Sequence, residues 1–331
     1  MFARENQLTA SEPSAAELSP AVVAGGWVRP STVWPAEPRW GFAEGIQVGL
    51  SPIPGPRGLV RIFTPYLDQP QSRLLNFLAF EPISSGATER GYSELEHSSW
   101  DLEPGKRFWS AETIDAAAAP SEYPVPGTID DVDGVERLSL YVHSEPFDNG
   151  ARVAVRIEFR ADRSHEFSIE TYRLPGSVPL DAFVVTATMG NFARLRRLQL
   201  LDEVATPSMI WPHFDGKHFA ERRRFALDRL RRTPTGGVTV AVSSDERDPL
   251  AAVYHSSVAD HWRYVGLPAV QMWEVENPDP AIAASVNARR VYWASDSPIP
   301  GGDAFENVEL IEPFRQGRRF VFRVEPLETT P

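Results

Sequence analysis

The sequence predicts an all-β fold: a large antiparallel β-sandwich with one or two peripheral helices. Apolar and polar side chains alternate with period 2, most clearly where Val153, Val155, Ile157 and Phe159 are separated by polar residues. This alternation is typical of a sheet with one packed and one wet face. The 30 prolines and 22 glycines suit many short strands joined by turns.

Six strands are predicted between residues 45 and 172. They cover residues 45–50, 58–64, 74–81, 137–143, 152–160 and 165–172. Helical spacing of apolar residues predicts a basic helix over 216–232. Asp248 and Pro249 form a good helix start, which predicts a second helix running to about residue 260. The helices do not alternate regularly with strands, so a parallel α/β sheet is not expected.

A repeated pentapeptide organises the chain. Residues 51–55 and 297–301 both read Ser-Pro-Ile-Pro-Gly, and each copy is followed by a strand, an X-Pro-aromatic step and a strand ending in Glu-Pro. We interpret 51–82 and 297–326 as an internal duplication that forms two equivalent hairpin units within one domain, residues 39–328. Residues 1–38 lack periodicity and predict a partly irregular N-terminal arm.

Composition excludes several functional classes. The net charge of −12 and pI near 5.1 oppose binding to nucleic acid. There is no cysteine, which excludes disulfides and a thiol nucleophile. We expect no membrane partner, because no run of 18 apolar residues occurs, and a cytoplasmic location, because the N-terminus does not resemble a signal peptide. No cofactor is predicted, and a homo-oligomer is compatible with exposed sheet edges.

Common catalytic motifs such as G-x-S-x-G, H-E-x-x-H and G-x-G-x-x-G are missing from the sequence. What remains are clusters of carboxylates, histidines and tryptophans. In the first cluster, an extended segment would place Glu94 and Glu96 on one face, as paired carboxylates for acid–base chemistry. Two solvated glutamates on a wet sheet face would read the same way.

The second cluster lies at the start of the predicted basic helix. His213, Asp215 and His218 fall within six residues, and Trp211 precedes them. Three such side chains near a turn suit a metal site, although the spacing matches no standard one. Acid–base chemistry at His213, sugar contact by Trp211 and His218, and simple helix capping are the alternatives.

The third cluster is centred on a predicted strand. Glu274 is a candidate proton-transfer group, and Trp262 and Trp273 are candidate stacking platforms for a sugar ring. Trp273 and Glu274 point to opposite faces of a regular strand, so both reach one cleft only at a bulge. His143, at the end of another strand, is a further candidate acid or base. Core packing of the tryptophans and an ordinary surface histidine are the competing interpretations.

The plan of about 290 ordered residues in antiparallel strands, with His, Glu and Trp on those strands, resembles the galactose-mutarotase-like supersandwich group. That group includes aldose epimerases and domains of glycosidases and polysaccharide lyases. The resemblance is architectural, and no residue role is carried over from it.

These observations predict a carbohydrate-active enzyme that cleaves or rearranges a glycosidic linkage, a glycoside hydrolase or a related glycan-processing enzyme. Its candidate proton-handling residues are Glu94, Glu96, His143, His213 and Glu274. The first alternative is a non-catalytic sugar-binding or assembly β-sandwich protein. The second is a metal-dependent enzyme that uses the His-x-Asp-x-x-His cluster.

Overall fold

Two large antiparallel sheets, arranged as a sandwich, form the architecture of this chain. The computed structural model describes residues 21–30, 38–50, 56–69, 74–115, 124–188, 190, 192–293 and 295–327. The ten-stranded sheet has the spatial order β1 (Ala21–Val22), β2 (Trp27–Arg29), β3 (Arg39–Phe42), β4 (Gln47–Gly49), β5 (Leu59–Phe63), β6 (Leu74–Ser84), β12 (Leu180–Thr188), β20 (Ala304–Ile311), β19 (Ala283–Arg289) and β15 (Arg223–Ala226).

The eleven-stranded sheet faces it. Its main path is β14 (Val204–Ala205), β13 (Leu195–Gln199), β17 (Val238–Ser244), β18 (Ala269–Val275), β21 (Arg318–Pro326), β11 (Glu166–Arg173), β10 (Val153–Arg160), β9 (Val135–Ser144) and β7 (Phe108–Ala111). Two further strands pair beside this path, β16 (Arg231–Arg232) with β17 and β8 (Thr128–Val132) with β9. The predicted antiparallel β-sandwich is confirmed, and the six predicted strands correspond to β4, β5, β6, β9, β10 and β11.

One hydrophobic core joins the two sheets. It includes Ile62 and Phe80 from the ten-stranded sheet and Ile157, Trp273 and Phe322 from the eleven-stranded sheet, all buried. Each sheet therefore has a core face and a face turned away from the core, which we call its outer face. The period-2 alternation of β10 arises here, because Val153, Ile157 and their alternates enter the core.

The outer face of β10 is less open to water than its sequence predicts. Glu158 is only 4% exposed. It lies 2.9 Å from Arg156, 3.2 Å from Arg319 and 3.4 Å from Arg137. A buried carboxylate shared by three guanidinium groups is a paired charge, which is how such a group becomes tolerable inside a protein.

The predicted basic helix over 216–232 is wrong. That segment contains β15, a short 3-10 turn (Leu227–Arg229) and β16. β15 pairs with β19 along its whole length, and Phe225 enters the core. Pairing with a strand about 60 residues away in sequence therefore overrides the local helical spacing.

The second predicted helix is a single turn. Asp248 caps it as expected, its side chain accepting a hydrogen bond from the Leu250 backbone N–H at 2.9 Å. The turn ends at Ala251 (Pro249–Ala251) and is of the 3-10 type. The one α-helix in the described residues is α1 (Pro207–Ile210), which the sequence did not suggest. None of the helices in the described residues has the length and the apolar composition needed to span a membrane.

Strand structure begins earlier than predicted. β2, which lies within the proposed arm, pairs with β3, and Trp27 is buried against Phe42 with 4.0 Å between ring centroids. The gain from burying Trp27 and Val28 orders this segment. Residues 1–20 and 31–37 of the proposed arm lie outside the described residues.

The repeated pentapeptide does not mark two equivalent hairpins. β5 and β6 pair with each other, but their counterparts β20 and β21 lie in different sheets. The first copy of the pentapeptide, residues 51–55, lies outside the described residues. The predicted hairpin equivalence is therefore wrong, while a duplication of the sequence stays a prediction.

Candidate functional site

A polar cluster occupies the outer face of the ten-stranded sheet, at its centre. Glu81 on β6, Thr186 on β12, Glu309 on β20 and Ser285 on β19 are all buried there. The pairing registers set Ser285 opposite Glu309 and Ala187 opposite Val308, which brings Thr186 beside Glu309. The Thr186 hydroxyl donates a hydrogen bond of 2.7 Å to Glu309 Oε2. Four neighbouring strands therefore contribute polar side chains to one patch.

A bulge places two glutamates of β20 in this patch. Val286 of β19 pairs with Val308, but Ala288 pairs with Phe305, so β20 has one extra residue here. Phe305 and Val308 both enter the core although they are three residues apart. The equally spaced Glu306 and Glu309 both belong to the polar cluster, where the bulge is stabilised by Asn307 N–H donating to Asn287 Oδ1 at 3.0 Å.

Two arginines fix the charge of Glu309. Arg90 donates to its two oxygens at 2.6 and 2.9 Å, and Arg222 also bonds to it. Burial alone would raise the pKa of Glu309, but the guanidinium groups of Arg90 and Arg222 outweigh it and hold the pKa at about 2. Glu81 bonds to Arg90 and lies 3.5 Å from Arg222. Its pKa is nevertheless raised, by burial and by repulsion from Glu309.

Two other carboxyl groups, those of Glu94 and Glu306, are held in the protonated state. Burial raises the pKa of Glu94 to about 8, and repulsion from Glu81 adds to it. Burial also raises the pKa of the fully buried Glu306 to about 8, against the attraction of Arg289 and with the repulsion of Glu94. One oxygen of each group, Oε2, is buried without a hydrogen-bond partner. The cluster therefore combines two protonated carboxyl groups with an ionised one.

Arg289 lies at the edge of this cluster, at the end of β19. Its guanidinium packs 5.0 Å from the ring centroid of Phe219 and donates to the Lys217 carbonyl at 3.5 Å. The residue is 7% exposed, and its Nε has no hydrogen-bond partner. Burial lowers its pKa, although Glu306 acts in the other direction.

The loop that carries Arg90 and Glu94 is anchored by Ser93. Its hydroxyl donates to the Gly58 carbonyl at 2.6 Å and accepts from the Phe80 N–H at 2.9 Å. Its carbonyl accepts from the Lys106 N–H at 2.7 Å. Gly58 has φ +70°, and a Cβ there would lie 1.9 Å from the backbone carbonyl oxygen of Ser93. Only glycine fits this contact.

Of the predicted proton-handling residues, Glu94 belongs to the cluster and Glu96 does not. The two lie in a turn closed by hydrogen bonds from Leu95 N–H and Glu96 N–H to the Tyr92 carbonyl, so the predicted extended segment is wrong. Glu96 accepts from the Asp148 N–H at 2.8 Å and lies 3.2 Å from Lys106 Nζ. It anchors the loop instead of sharing a site with Glu94.

His143 lies on the other sheet. It is 2% exposed, its Nε2 is 3.3 Å from the Thr113 carbonyl, and burial lowers its pKa. Its ring stacks on Trp109 with 5.8 Å between centroids, and Trp100 lies 5.6 Å from Trp109. The structure does not bring His143 to Glu94.

His213 and His218 are both exposed, on the segment between α1 and β15. This segment touches the polar cluster where the Lys217 carbonyl meets Arg289. Within the described residues, no three His, Asp or Glu side chains are arranged to hold a metal ion. The metal site predicted from His213, Asp215 and His218 is therefore not formed.

The three tryptophans predicted as sugar platforms pack against other hydrophobic side chains, one of them buried and two half-buried. Trp273 is 2% exposed, and its indole N–H donates to the Val308 carbonyl at 2.9 Å. Trp211 is half-buried against Phe305, with 6.2 Å between centroids. Trp262 stacks on Tyr292 at 5.5 Å. These contacts place all three in or against hydrophobic clusters.

Glu274 lies on the outer face of the eleven-stranded sheet. It lines a groove of about 340 Å³, 3.8 Å from Arg323. Five arginines and two further glutamates share this groove: Arg160, Arg163, Arg318, Arg319, Arg323, Glu166 and Glu276. Glu274 and Glu94 are thus on opposite outer faces of the sandwich, and the predicted candidates do not form a single site.

The sequence did not indicate most of the cluster. Glu81, Arg90, Arg289, Glu306 and Glu309 were all missed as site residues, and Arg222 was interpreted as part of the predicted basic helix. Glu306 and Glu309 inside the buried strand 304–311 were the available signal, because an ionisable residue in a buried strand requires a partner. The partners Arg90 and Arg222 are remote in sequence, so the signal pointed to a site without identifying its members.

Comparisons with known proteins add little. No family model and no curated protein matches this chain. A solved structure titled "Crystal Structure Analysis of HI1317" aligns with 90% of this chain and 99% of its own, at 9% sequence identity and a TM-score of 0.25. A likeness at that score carries no argument about fold or function.

Proposed function

We propose that this protein is a carbohydrate-active enzyme that cleaves or rearranges a glycosidic linkage by acid–base catalysis at the Glu94 and Glu306 cluster. The observation that carries the proposal is geometric. Two buried carboxyl groups each keep one oxygen without a partner, on the sheet face beside the ionised Glu309. Unsatisfied buried polar atoms are rare in folded proteins and cluster where a substrate completes the hydrogen bonding.

The protonation states suit proton transfer. With pKa values of about 8, Glu94 and Glu306 keep their protons at neutral pH, so either is a proton donor to a leaving or ring oxygen. Loss of one proton makes the second harder to remove, because the two groups repel each other when charged. Near pH 8 the cluster then offers one acid and one base together.

Glu94 is the group that contacts the substrate in this proposal. As a residue it is half-buried, although its Oε2 is buried, whereas Glu306 is fully buried. Glu309 is held by Arg90, Arg222 and Thr186, so its role is to keep the arginines in place. The choice of a saccharide rests on the sandwich architecture and on the density of hydrogen-bonding side chains on this face.

A screen with matched variants tests the proposal. Purified protein is assayed with aryl glycosides and oligosaccharides for cleavage, and with free aldoses for rearrangement by NMR. Activity should fall by at least about a hundredfold in Glu94→Gln, which keeps the shape but cannot transfer a proton. Glu203→Gln, an exposed surface glutamate paired with Arg229, is the matched control and should keep full activity.

Glu274→Gln separates this proposal from the prediction made from sequence. It removes a carboxylate on the opposite face and should leave activity unchanged. Full activity in Glu94→Gln, or a loss confined to Glu274→Gln, would contradict the assignment.

A non-catalytic sugar-binding protein is the second candidate, and a separate observation favours it. Trp100 is 44% exposed beside Trp109, whose indole N–H is buried without a partner. The flat exposed indole of Trp100 suits a stacked sugar ring. Saccharide binding that is lost in Trp100→Ala, without turnover in any assay, would favour this candidate. A cytoplasmic location and a homo-oligomer remain sequence-based proposals.

A further inference from the structure

The polar cluster on the outer face of the ten-stranded sheet contains more guanidinium groups than ionised carboxylates. Arg90, Arg222 and Arg289 belong to it, and Arg224 lies opposite Ser285 on the same face, exposed. Against them stand Glu81, Glu94, Glu306 and Glu309. Burial keeps Glu94 and Glu306 protonated at neutral pH, so at most two carboxylates face four guanidinium groups.

Arg289 is the arginine without a proper partner. It is more than nine-tenths buried, its Nε makes no hydrogen bond to any described residue, and the hydrogen bond that it does make within the described residues is a 3.5 Å contact to a backbone carbonyl. Glu306, the acid that acts on its pKa, is itself held neutral by burial. A buried cation without a counter-ion is costly, and an anionic ligand group removes that cost.

The surroundings of Arg289 continue this positive character outward. The segment that packs on it carries Lys217, which pairs with Asp296 at 3.1 Å, and the acidic residues Asp215 and Glu221. Among the described residues, the unpaired positive charge next to it is that of β15, with the exposed Arg223 and Arg224. The ring of Phe219, 45% exposed, makes a cation–π contact with the guanidinium at 5.0 Å. The protein as a whole has a charge of −12, so this basic edge is not a general property of its surface.

We propose that the substrate of this site is an anionic saccharide, whose carboxylate or phosphate group binds Arg289 while its ring faces Glu94. This inference rests on the proposed function but concerns binding, which is measured separately from turnover. Arg289 donates to the anionic group through its guanidinium N–H groups, and the exposed Arg224 adds electrostatic attraction on the same face. Glu94 then acts on an oxygen of the same sugar.

The test is calorimetric binding at low ionic strength in a buffer free of phosphate. The probes are glucose, glucuronate, glucose 6-phosphate and inorganic phosphate. We expect glucuronate or glucose 6-phosphate to bind about tenfold or more tightly than glucose, with inorganic phosphate alone weaker than the sugar phosphate. Glucuronate and the sugar phosphate distinguish a carboxylate from a phosphate group.

Three variants assign the effect. Arg289→Gln should bring the anionic sugars down to the affinity of glucose, and Arg289→Lys should restore part of the preference. Arg229→Gln removes an exposed arginine paired with Glu203 and should change nothing. Circular dichroism and thermal unfolding confirm that each variant is folded, and Arg289→Lys keeps the test valid if Arg289→Gln does not fold.

Equal binding of neutral and anionic sugars, or a preference that survives in Arg289→Gln, would overturn the proposal. The variants also separate anion binding at Arg289 from acid–base catalysis at Glu94. Glu94→Gln should abolish turnover yet keep the anion preference. If Glu94→Gln turns over normally while Arg289→Gln loses anion binding, the acid–base assignment fails and the anion site stands.

Discussion

Replacing Glu306 with glutamine should change the pH dependence of stability. The carboxyl group is fully buried, and burial raises its pKa from 4.5 to about 8. The folded protein therefore holds this proton more tightly than the unfolded chain does. Its stabilising contribution is fully present below pH 4.5 and is lost as the pH rises through about 8.

The magnitude follows from the pKa difference. Each pH unit between the two pKa values removes about 1.4 kcal/mol from the free energy of unfolding of the wild-type protein. Glutamine resembles the protonated acid and does not titrate. Between about pH 5 and pH 8, wild type should therefore lose about 4 kcal/mol relative to Glu306→Gln.

Urea denaturation of both proteins at several pH values in this range measures the effect. Glu94 is present in both, so its own titration largely cancels in the comparison. The exposed surface variant Glu203→Gln is the control and should run parallel to wild type. If the stability curves of wild type and Glu306→Gln stay parallel, the raised pKa of Glu306 is contradicted. Glu306 would then be ionised and paired with Arg289 in the folded state.

Three further predictions concern the scaffold of the site. Arg90→Met leaves Glu81 and Glu309 buried with one fewer counter-ion, so the free energy of unfolding in urea at pH 7 should fall by about 3–5 kcal/mol; a loss under about 1 kcal/mol would contradict the shared pairing. Gly58→Ala forces a Cβ to within 1.9 Å of the loop that holds Glu94, and should reduce both thermal stability and turnover; the matched Gly86→Ala, where φ is also positive but the Cβ meets nothing within 4 Å, should cost only about 1 kcal/mol and spare turnover. Trp273→Phe loses the hydrogen bond to the Val308 carbonyl and should destabilise the core by about 1–3 kcal/mol without changing saccharide affinity by calorimetry; an affinity loss in folded protein would return this residue to the binding site.

The parts of the fold that depend on local pattern could be predicted from sequence. Alternation from Val153 to Phe159 is set by burial of one face, and the structure places these side chains in the core. The segment 216–232 could not be predicted in this way. Its helical spacing is real, but the sheet edge at β19 offers backbone hydrogen bonds and a core position for Phe225.

The candidate site was also only partly predictable from the sequence. Glu94 was identified for its residue type, although the expected strand is a turn and its expected partner Glu96 binds Lys106. The actual neighbours, Glu81, Glu306 and Glu309, come from strands β6 and β20, more than 200 residues apart in the chain. A bulge in β20 then decides which of its glutamates belong to the cluster, and its sequence gives no local sign of that bulge.

The protonation state of Glu94 decides whether the Glu94 and Glu306 cluster can perform acid–base catalysis. Carbon-13 NMR of glutamate-labelled protein, with the Glu94 signal assigned by its absence in Glu94→Gln, follows the side-chain carboxyl carbon through a pH titration. We expect a midpoint near 8, because burial and the charge of Glu81 oppose ionisation and raise the pKa of Glu94. A midpoint between 4 and 5 would show an ordinary solvated carboxylate and would contradict the acid–base site.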